Sequence, residues 1–150
     1  MNLLVSACLL GVSCRYDGGT KPCDAVIALA KTHTLIPVCP EIFGGLPTPR
    51  TPCEIVGDRV LSLGGADKTD AYRRGAAEVL RLAGLFDCRA ALLKARSPAC
   101  GSGEVYDGSF SGTLKKGDGV AAAALLAAGI PVFTENGTDA LEKWLAEQEK

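Results

Sequence analysis

The stretch Asn2-Leu3-Leu4-Val5-Ser6-Ala7-Cys8 decides how the rest of the chain is read. Residues 3–7 have the character of a short buried strand, and no lysine or arginine precedes Arg15. The ending Ser6-Ala7-Cys8 faintly echoes a lipoprotein cleavage site. A secretory leader, however, needs a basic start and an apolar stretch of roughly 7–15 residues before the cut. Neither is present, so the segment is expected to be the first strand of a core. Similar short apolar segments return at residues 35–38, stopped by Pro40, at 90–93 and at 130–133.

Between these segments the apolar residues change to helical spacing. Residues 24–31 carry Ala25, Val26, Ala28, Leu29 and Ala30, a plausible short helix. Residues 67–83 place Tyr72, Ala76, Val79, Leu80 and Ala83 on one face, with Gly84 closing the helix. Residues 118–128 form an apolar helix, and 138–147 a last one, with Thr138 as N-cap. Short apolar strands alternating with helices predict an α/β fold, with a mostly parallel sheet covered on both faces. The expectation is a single three-layer Rossmann-like domain over residues 1–150, with about four strands in the sheet. Residues 54–56 and 59–61, around Gly57-Asp58, add a small hairpin. Residues 41–52 hold two glycines and three prolines and read as a loop, and residues 95–119 hold six glycines. So long a connection inside a compact fold is more often functional than idle.

Composition narrows the function classes. Of 150 residues, 47% are hydrophobic and 22% charged, which suits a globular core and argues against disorder. The net charge is −1, and the basic residues form no run, against a protein that lives on nucleic-acid backbones. No apolar run reaches the roughly 20 residues of a bilayer span, so a soluble cytoplasmic protein is expected. Seven cysteines is the unusual number. An odd count without a leader fits structural disulfides poorly, the lone His33 excludes a histidine-rich zinc site, and no C-x-x-C pair occurs.

Ligands of open parallel sheets bind beyond the carboxyl ends of the strands. Cys8 follows the first predicted strand, Cys39 follows the second, and Cys100 lies in the loop leaving the third. The topology brings all three to one rim. Free cysteine also serves as a small buried hydrophobe, and Cys14, Cys23, Cys53 and Cys88 are read that way or as surface residues. Cys88 precedes a strand and belongs to the opposite edge. Three thiolates suit zinc or an iron–sulfur cluster. A structural zinc wants a fourth protein ligand, whereas a catalytic cluster can leave one iron open to substrate.

Several local words then define a resemblance. Ser6-Ala7-Cys8-Leu9-Leu10-Gly11, Arg15-Tyr16-Asp17-Gly18, Val38-Cys39-Pro40-Glu41 and Gly45-Leu46-Pro47 occur in order. They are followed by Lys94-Ala95-Arg96-Ser97-Pro98-Ala99-Cys100-Gly101, Tyr106-Asp107-Gly108-Ser109-Phe110-Ser111-Gly112 and Gly117-Asp118-Gly119-Val120. Together they resemble the bacterial thiouracil desulfidase family, from about residue 3 to Asn136. The resemblance implies a 4Fe-4S cluster held by Cys8, Cys39 and Cys100, with one iron lacking a protein ligand. It implies a non-redox removal of sulfur from 2- or 4-thiouracil, giving uracil and hydrogen sulfide, with Glu41 and Ser97 as the catalytic residues. Ala99 stands where many relatives carry serine.

Glu41 is two residues from a ligand and could take a proton from water; its bland role is a surface salt bridge or helix cap. Ser97 could hydrogen-bond the pyrimidine; its bland role is a turn before Pro98. Arg50 and Arg96 could hold a base or a phosphate, although exposed arginines are common. Asp17 and Asp107 are expected to shape turns. Two rival readings stand beside the desulfidase: a non-catalytic metal-binding or redox-sensing thiol protein, and an enzyme acting on 4-thiouridine in tRNA. Near-zero charge and a chain that ends soon after the catalytic unit favour free thiouracil or a small nucleoside over tRNA. The oligomeric state is left open by the sequence.

Overall fold

A four-stranded parallel sheet of order β2-β1-β5-β8 forms the centre of the computed structural model, which describes residues 1–149. Its strands are β1 (Asn2–Ser6), β2 (Thr34–Val38), β5 (Ala90–Leu93) and β8 (Val132–Thr134). β1 pairs with β2 from Asn2↔Thr34 to Ser6↔Val38 and, on its other edge, with β5 from Leu3↔Ala90 to Val5↔Leu92. β8 extends the sheet beyond β5. Leu3, Leu4, Val5 and all four residues of β5 are wholly shielded from solvent. This is the continuous apolar character expected of parallel strands covered on both faces.

The alternation along each strand sorts the helices. Leu3, Val5, Ala90 and Leu92 face Val26 of α1 (Asp24–Ala28) and Leu141 and Leu145 of α5 (Thr138–Gln148). Leu4, Ala91 and Leu93 face Tyr72, Val79 and Ala83 of α3 (Thr69–Leu85) and Ala122 and Leu125 of α4 (Val120–Ala127). The three layers are therefore α1/α5, sheet, α3/α4. The strand order reverses direction at β1, whose two neighbours are β2 and β5. That reversal opens the crevice in which ligands of doubly wound sheets bind.

The expected elements are present, with differences at their ends and in the connections. The predicted hairpin is β3 (Cys53–Val56) with β4 (Arg59–Ser62). Residues 41–52 are not wholly loop: Pro40–Phe43 make a single helical turn, α2, starting on a proline. Proline is at ease there because the first helical N–H lacks a partner in any case. The glycine-rich connection also holds a second small antiparallel pair, β6 (Glu104–Tyr106) with β7 (Leu114–Lys116). Gly84 does not close α3, which runs through it to Leu85. Thr138 is the first residue of α5 and not its cap; Gly137 takes the cap position. No helix is long and apolar enough to cross a membrane among the described residues.

Candidate active site

A cavity of about 540 Å³ opens at the carboxyl ends of β1, β2 and β5, at the point where the strand order reverses. Cys8, Cys39 and Cys100 all line it, as do Glu41 and Ser97. Cys8 lies in a tight turn, Ala7–Leu10, directly after β1. Cys39 sits between β2 and α2, in extended conformation. Cys100 is held by a turn in which Ser97 Oγ accepts the N–H groups of Ala99 and Cys100, each at 3.1 Å.

The Cys100 turn is fixed from behind by α4. The N–H groups at the start of that helix are the ones left without intrahelical partners. Here Val120 N donates to Pro98 O at 2.8 Å and Ala121 N to Ala99 O at 2.9 Å. The approach requires Gly119: a Cβ there would stand 2.5 Å from the Ala99 carbonyl carbon and 2.8 Å from Cys100 N. The Gly117-Asp118-Gly119-Val120 motif thus seats one of the three thiols.

A fourth thiol belongs to the same site. Cys14 is buried on the cavity wall, and Cys39 Sγ donates to its carbonyl oxygen at 3.8 Å. Burial, then the neighbouring Cys39, pushes the Cys8 thiol up to about 11, while Lys94 and Arg15 pull the other way. Burial, followed by Cys39 and Cys8, lifts Cys14 to about 12. Burial likewise raises Cys100, against the opposing hydrogen bond with Ser6. The chain after β1 folds back over the strand ends, which is why a residue six positions past Cys8 returns to it. Cys53, on β3, also lines the cavity, close to Tyr72. Cys14 and Cys53, read from the sequence as small buried hydrophobes or surface residues, thus also line the cavity. Cys88 is buried in the α3/α4 core, before β5.

Glu41 is no surface carboxylate. Its side chain is 13% exposed, and that of its partner Arg50 only 6%. Arg50 Nε donates to Glu41 Oε2 at 2.8 Å and Nη2 donates to the same oxygen. Tyr72 OH, reaching over from α3, donates to Oε1 at 2.8 Å. Burial, followed by the adjacent Glu41 carboxylate, drives the Tyr72 phenol far above its usual value, so it acts only as a neutral donor. Arg50 also ties in the Cys14 segment, donating from Nη2 to Cys14 O at 2.8 Å and from its own N–H to Tyr16 O at 2.7 Å. Arg50 is thus a structural clamp on Glu41. Arg96 lines the cavity mouth in a left-handed conformation, φ 71°, with Glu104 3.7 Å away. Asp17 and Asp107 do shape turns, accepting the N–H groups of Gly19 and Ser109.

Among the described residues, no three His, Cys, Asp or Glu side chains converge on a point that one metal ion could occupy. Cys8, Cys14, Cys39 and Cys100 nevertheless share one cavity, and soft sulfur donors of this kind suit zinc or an iron–sulfur cluster.

A doubly wound α/β domain with a thiol-lined crevice at its switch point, and a clamped carboxylate beside the thiols, has the layout of an α/β enzyme whose site offers soft sulfur donors. The comparisons narrow that class. The 2-thiouracil desulfurase family profile matches residues 3–137, and the chain belongs to that family. The uncharacterized protein YbbK of Bacillus subtilis (strain 168) is 40% identical over 144 residues, covering 89% of this chain and 95% of its own length. Among solved structures, the 4Fe-4S-dependent thiouracil desulfidase TudS superposes with a TM-score of 0.90 at 42% identity, over 97% of each chain.

Proposed function

We propose that this protein is a 4Fe-4S-dependent desulfidase that converts 2- or 4-thiouracil and water to uracil and hydrogen sulfide. The observation that carries the reading is the placement of Cys8, Cys39 and Cys100 around one cavity that also holds the clamped Glu41. Cys8, Cys39 and Cys100 would hold the cluster, which leaves one of its four irons without a protein ligand. When bound, the cluster supplies a Lewis-acidic iron with affinity for the soft thiocarbonyl sulfur.

The chain's own residues do the rest. A carboxylate has about four acceptor positions. Arg50 fills two on Oε2 and Tyr72 one on Oε1, which leaves one on Oε1 for a water molecule. Glu41 takes one proton of that water as its oxygen adds to the thiocarbonyl carbon and passes it to the sulfur. As the C–S bond breaks, the proton left on the added hydroxyl follows by way of the same carboxylate, so the carbonyl forms and sulfur departs as hydrogen sulfide. Arg50 and Tyr72 keep the carboxylate in a single orientation throughout. Ser97 Oγ already accepts two main-chain N–H groups, so its hydroxyl proton is free to donate to the pyrimidine. The whole chain acts as one desulfidase domain in the cytoplasm, on a small substrate, without a nucleic-acid partner.

The test is turnover of both thiouracils by anaerobically reconstituted protein, read by loss of thiocarbonyl absorbance and by sulfide release. Glu41→Gln is expected to lower kcat by about 10²- to 10⁴-fold while the brown cluster chromophore persists. Cys100→Ala is expected to lose chromophore and activity together. Intact clusters that leave both thiouracils untouched would sink the substrate assignment. A colourless, zinc-loaded protein would sink the cluster.

A further inference from the structure

The loop between β6 and β7 carries features that the chemistry above does not use. Phe110 has φ 57°, in the left-handed region that side chains with a Cβ avoid. Two glycines of the same loop, Gly108 and Gly112, also have positive φ, at 95° and 80°, and for them this conformation is easy. A loop that needed only to turn would carry glycine at the third position too. Phe110 contributes nothing to either buried core, yet it lines the same cavity as Glu41 and Ser97.

The strained residue is held by a buried carboxylate. Glu54, on β3, is 9% exposed and has no ion-pair partner among the described residues. Its Oε1 accepts the N–H of Gly108 at 3.0 Å and the N–H of Phe110 at 3.1 Å. The two bonds bracket Ser109 and fix the loop where Phe110 faces the cavity. Gly108 lets the loop press on β3, because a Cβ there would stand 2.8 Å from Ile55 O. On the outer side Asp107 accepts the Ser109 hydroxyl, and Ser109, Ser111 and Thr113 continue the hydroxyl chain. Glu54 therefore orders the loop from inside and the hydroxyls order it from outside.

We infer that Phe110 is the stacking wall for the substrate's heterocycle, and that Glu54 is a positioning residue that holds it there. The inference rests on the thiopyrimidine reading above. A flat unsaturated ring gains most from an aromatic face, and stacking is indifferent to where the ring carries its sulfur. Phe110 thus supplies affinity for both thiouracil isomers, while Glu41 and Ser97 act on the reacting carbon.

The experiment compares KM, kcat and product (uracil) binding by calorimetry for reconstituted wild type, Phe110→Gly, Phe110→Tyr, Glu54→Leu and Glu54→Gln. Base–aromatic stacking corresponds to about a tenfold change or somewhat more. Phe110→Gly is expected to raise KM for both isomers and the uracil Kd by about tenfold, with kcat less affected. Its Tm should hold or rise, since glycine relieves the left-handed strain. Phe110→Tyr should recover most of the loss. Glu54→Leu, which fits the space but accepts no hydrogen bond, should raise KM in the same way, and Glu54→Gln, which keeps an acceptor oxygen, should recover it. Unchanged KM and uracil Kd in Phe110→Gly, in a wild type that turns over thiouracil, overturn this inference alone. A wild type with intact clusters that turns over neither isomer overturns the substrate reading and the inference with it.

Discussion

Alanine in place of Gly75 should damage the site from a distance. The helices α2 and α3 touch through Gly44 and Gly75. A Cβ on Gly75 would stand 1.8 Å from Pro40 O and 2.7 Å from the Pro40 carbonyl carbon, both of them main-chain atoms that no rotamer change can move aside. Relieving that overlap to ordinary contact takes a retreat of α2 by roughly 1.5 Å. Cys39 and Glu41 flank Pro40, so both shift, and Tyr72 one turn earlier on α3 loses its reach to Glu41. Overpacking of this kind costs about 1–3 kcal/mol, and alanine's better helix propensity offsets about 1 kcal/mol of it. The expected net change is a Tm lower by up to about 8 °C. The effect on catalysis is larger, because a misplacement of about 1 Å can cost a hundredfold in rate. Gly84→Ala is the control on the same helix, where a Cβ meets nothing within 4 Å. It should stabilise by about 0.5–1 kcal/mol and leave turnover alone. Thermal denaturation and steady-state turnover of the two reconstituted variants decide the matter. A Gly75→Ala protein with wild-type Tm and kcat would refute the close-contact argument.

Two further outcomes follow from the same geometry. Arg50→Ala leaves the Glu41 carboxylate buried without its cation, which should cost about 3 kcal/mol, or roughly 6–12 °C in Tm; Arg50→Lys should recover only part of this, because an ammonium cannot reproduce the two-pronged contact. Thermal melts of both variants check the expectation, and equal Tm values for Arg50→Lys and wild type would count against it. Asp67 accepts the N–H of Thr69 ahead of α3, and the hydrogen bonds with Thr69, followed by Arg59, hold its carboxyl below the usual range. A depressed carboxyl stabilises the fold above its unfolded pKa, and that contribution fades as pH falls through the folded value. Asp67→Ala should therefore lower Tm at neutral pH and match wild type in acid; a Tm gap that stays constant with pH would contradict this.

The sheet was legible because a buried parallel strand is apolar on both faces, so residues 3–7, 35–38 and 90–93 stand out without periodicity. The strand-end rule then brought Cys8, Cys39 and Cys100 to one rim, and the cavity is lined by all three. The one-turn helix after Cys39 was hidden by the prolines and glycines around it. Pro40 directly before an acidic residue was the available signal, since proline at the first helical position and a negative charge in the first turn both favour a start there. Gly75 and Gly119 read in sequence as weak helix positions or turn residues, whereas each is small because a backbone passes close to it. Nothing local marks such a contact. The place of Cys14 and Tyr72 at the site, and the role of Arg50 as a clamp on Glu41 where a base or phosphate contact was expected, escaped for the same reason: their partners lie 25, 31 and 9 residues away, fixed by loop return and helix packing.

The position of each candidate group is set by packed helices more than by the loops that carry them. Cys39 directly precedes, and Glu41 is the second residue of, a helical turn too short to be stable alone, and contact with Gly75 of α3 gives that turn its place. The Cys100 turn is bonded to the first N–H groups of α4, and α4 packs beside α3 on one face of the sheet. Two of the three thiols and the carboxylate are thereby referred to a single helical layer. Cys8 is referred to the sheet itself, directly after β1, with Ser6 Oγ accepting Lys94 N at 2.8 Å across to the next strand. A site held this way tolerates changes at its exposed rim but not a shift between the helices behind it. That asymmetry explains why a methyl group added at Gly75, which itself touches no proposed ligand or substrate, is expected to disturb the site from a distance.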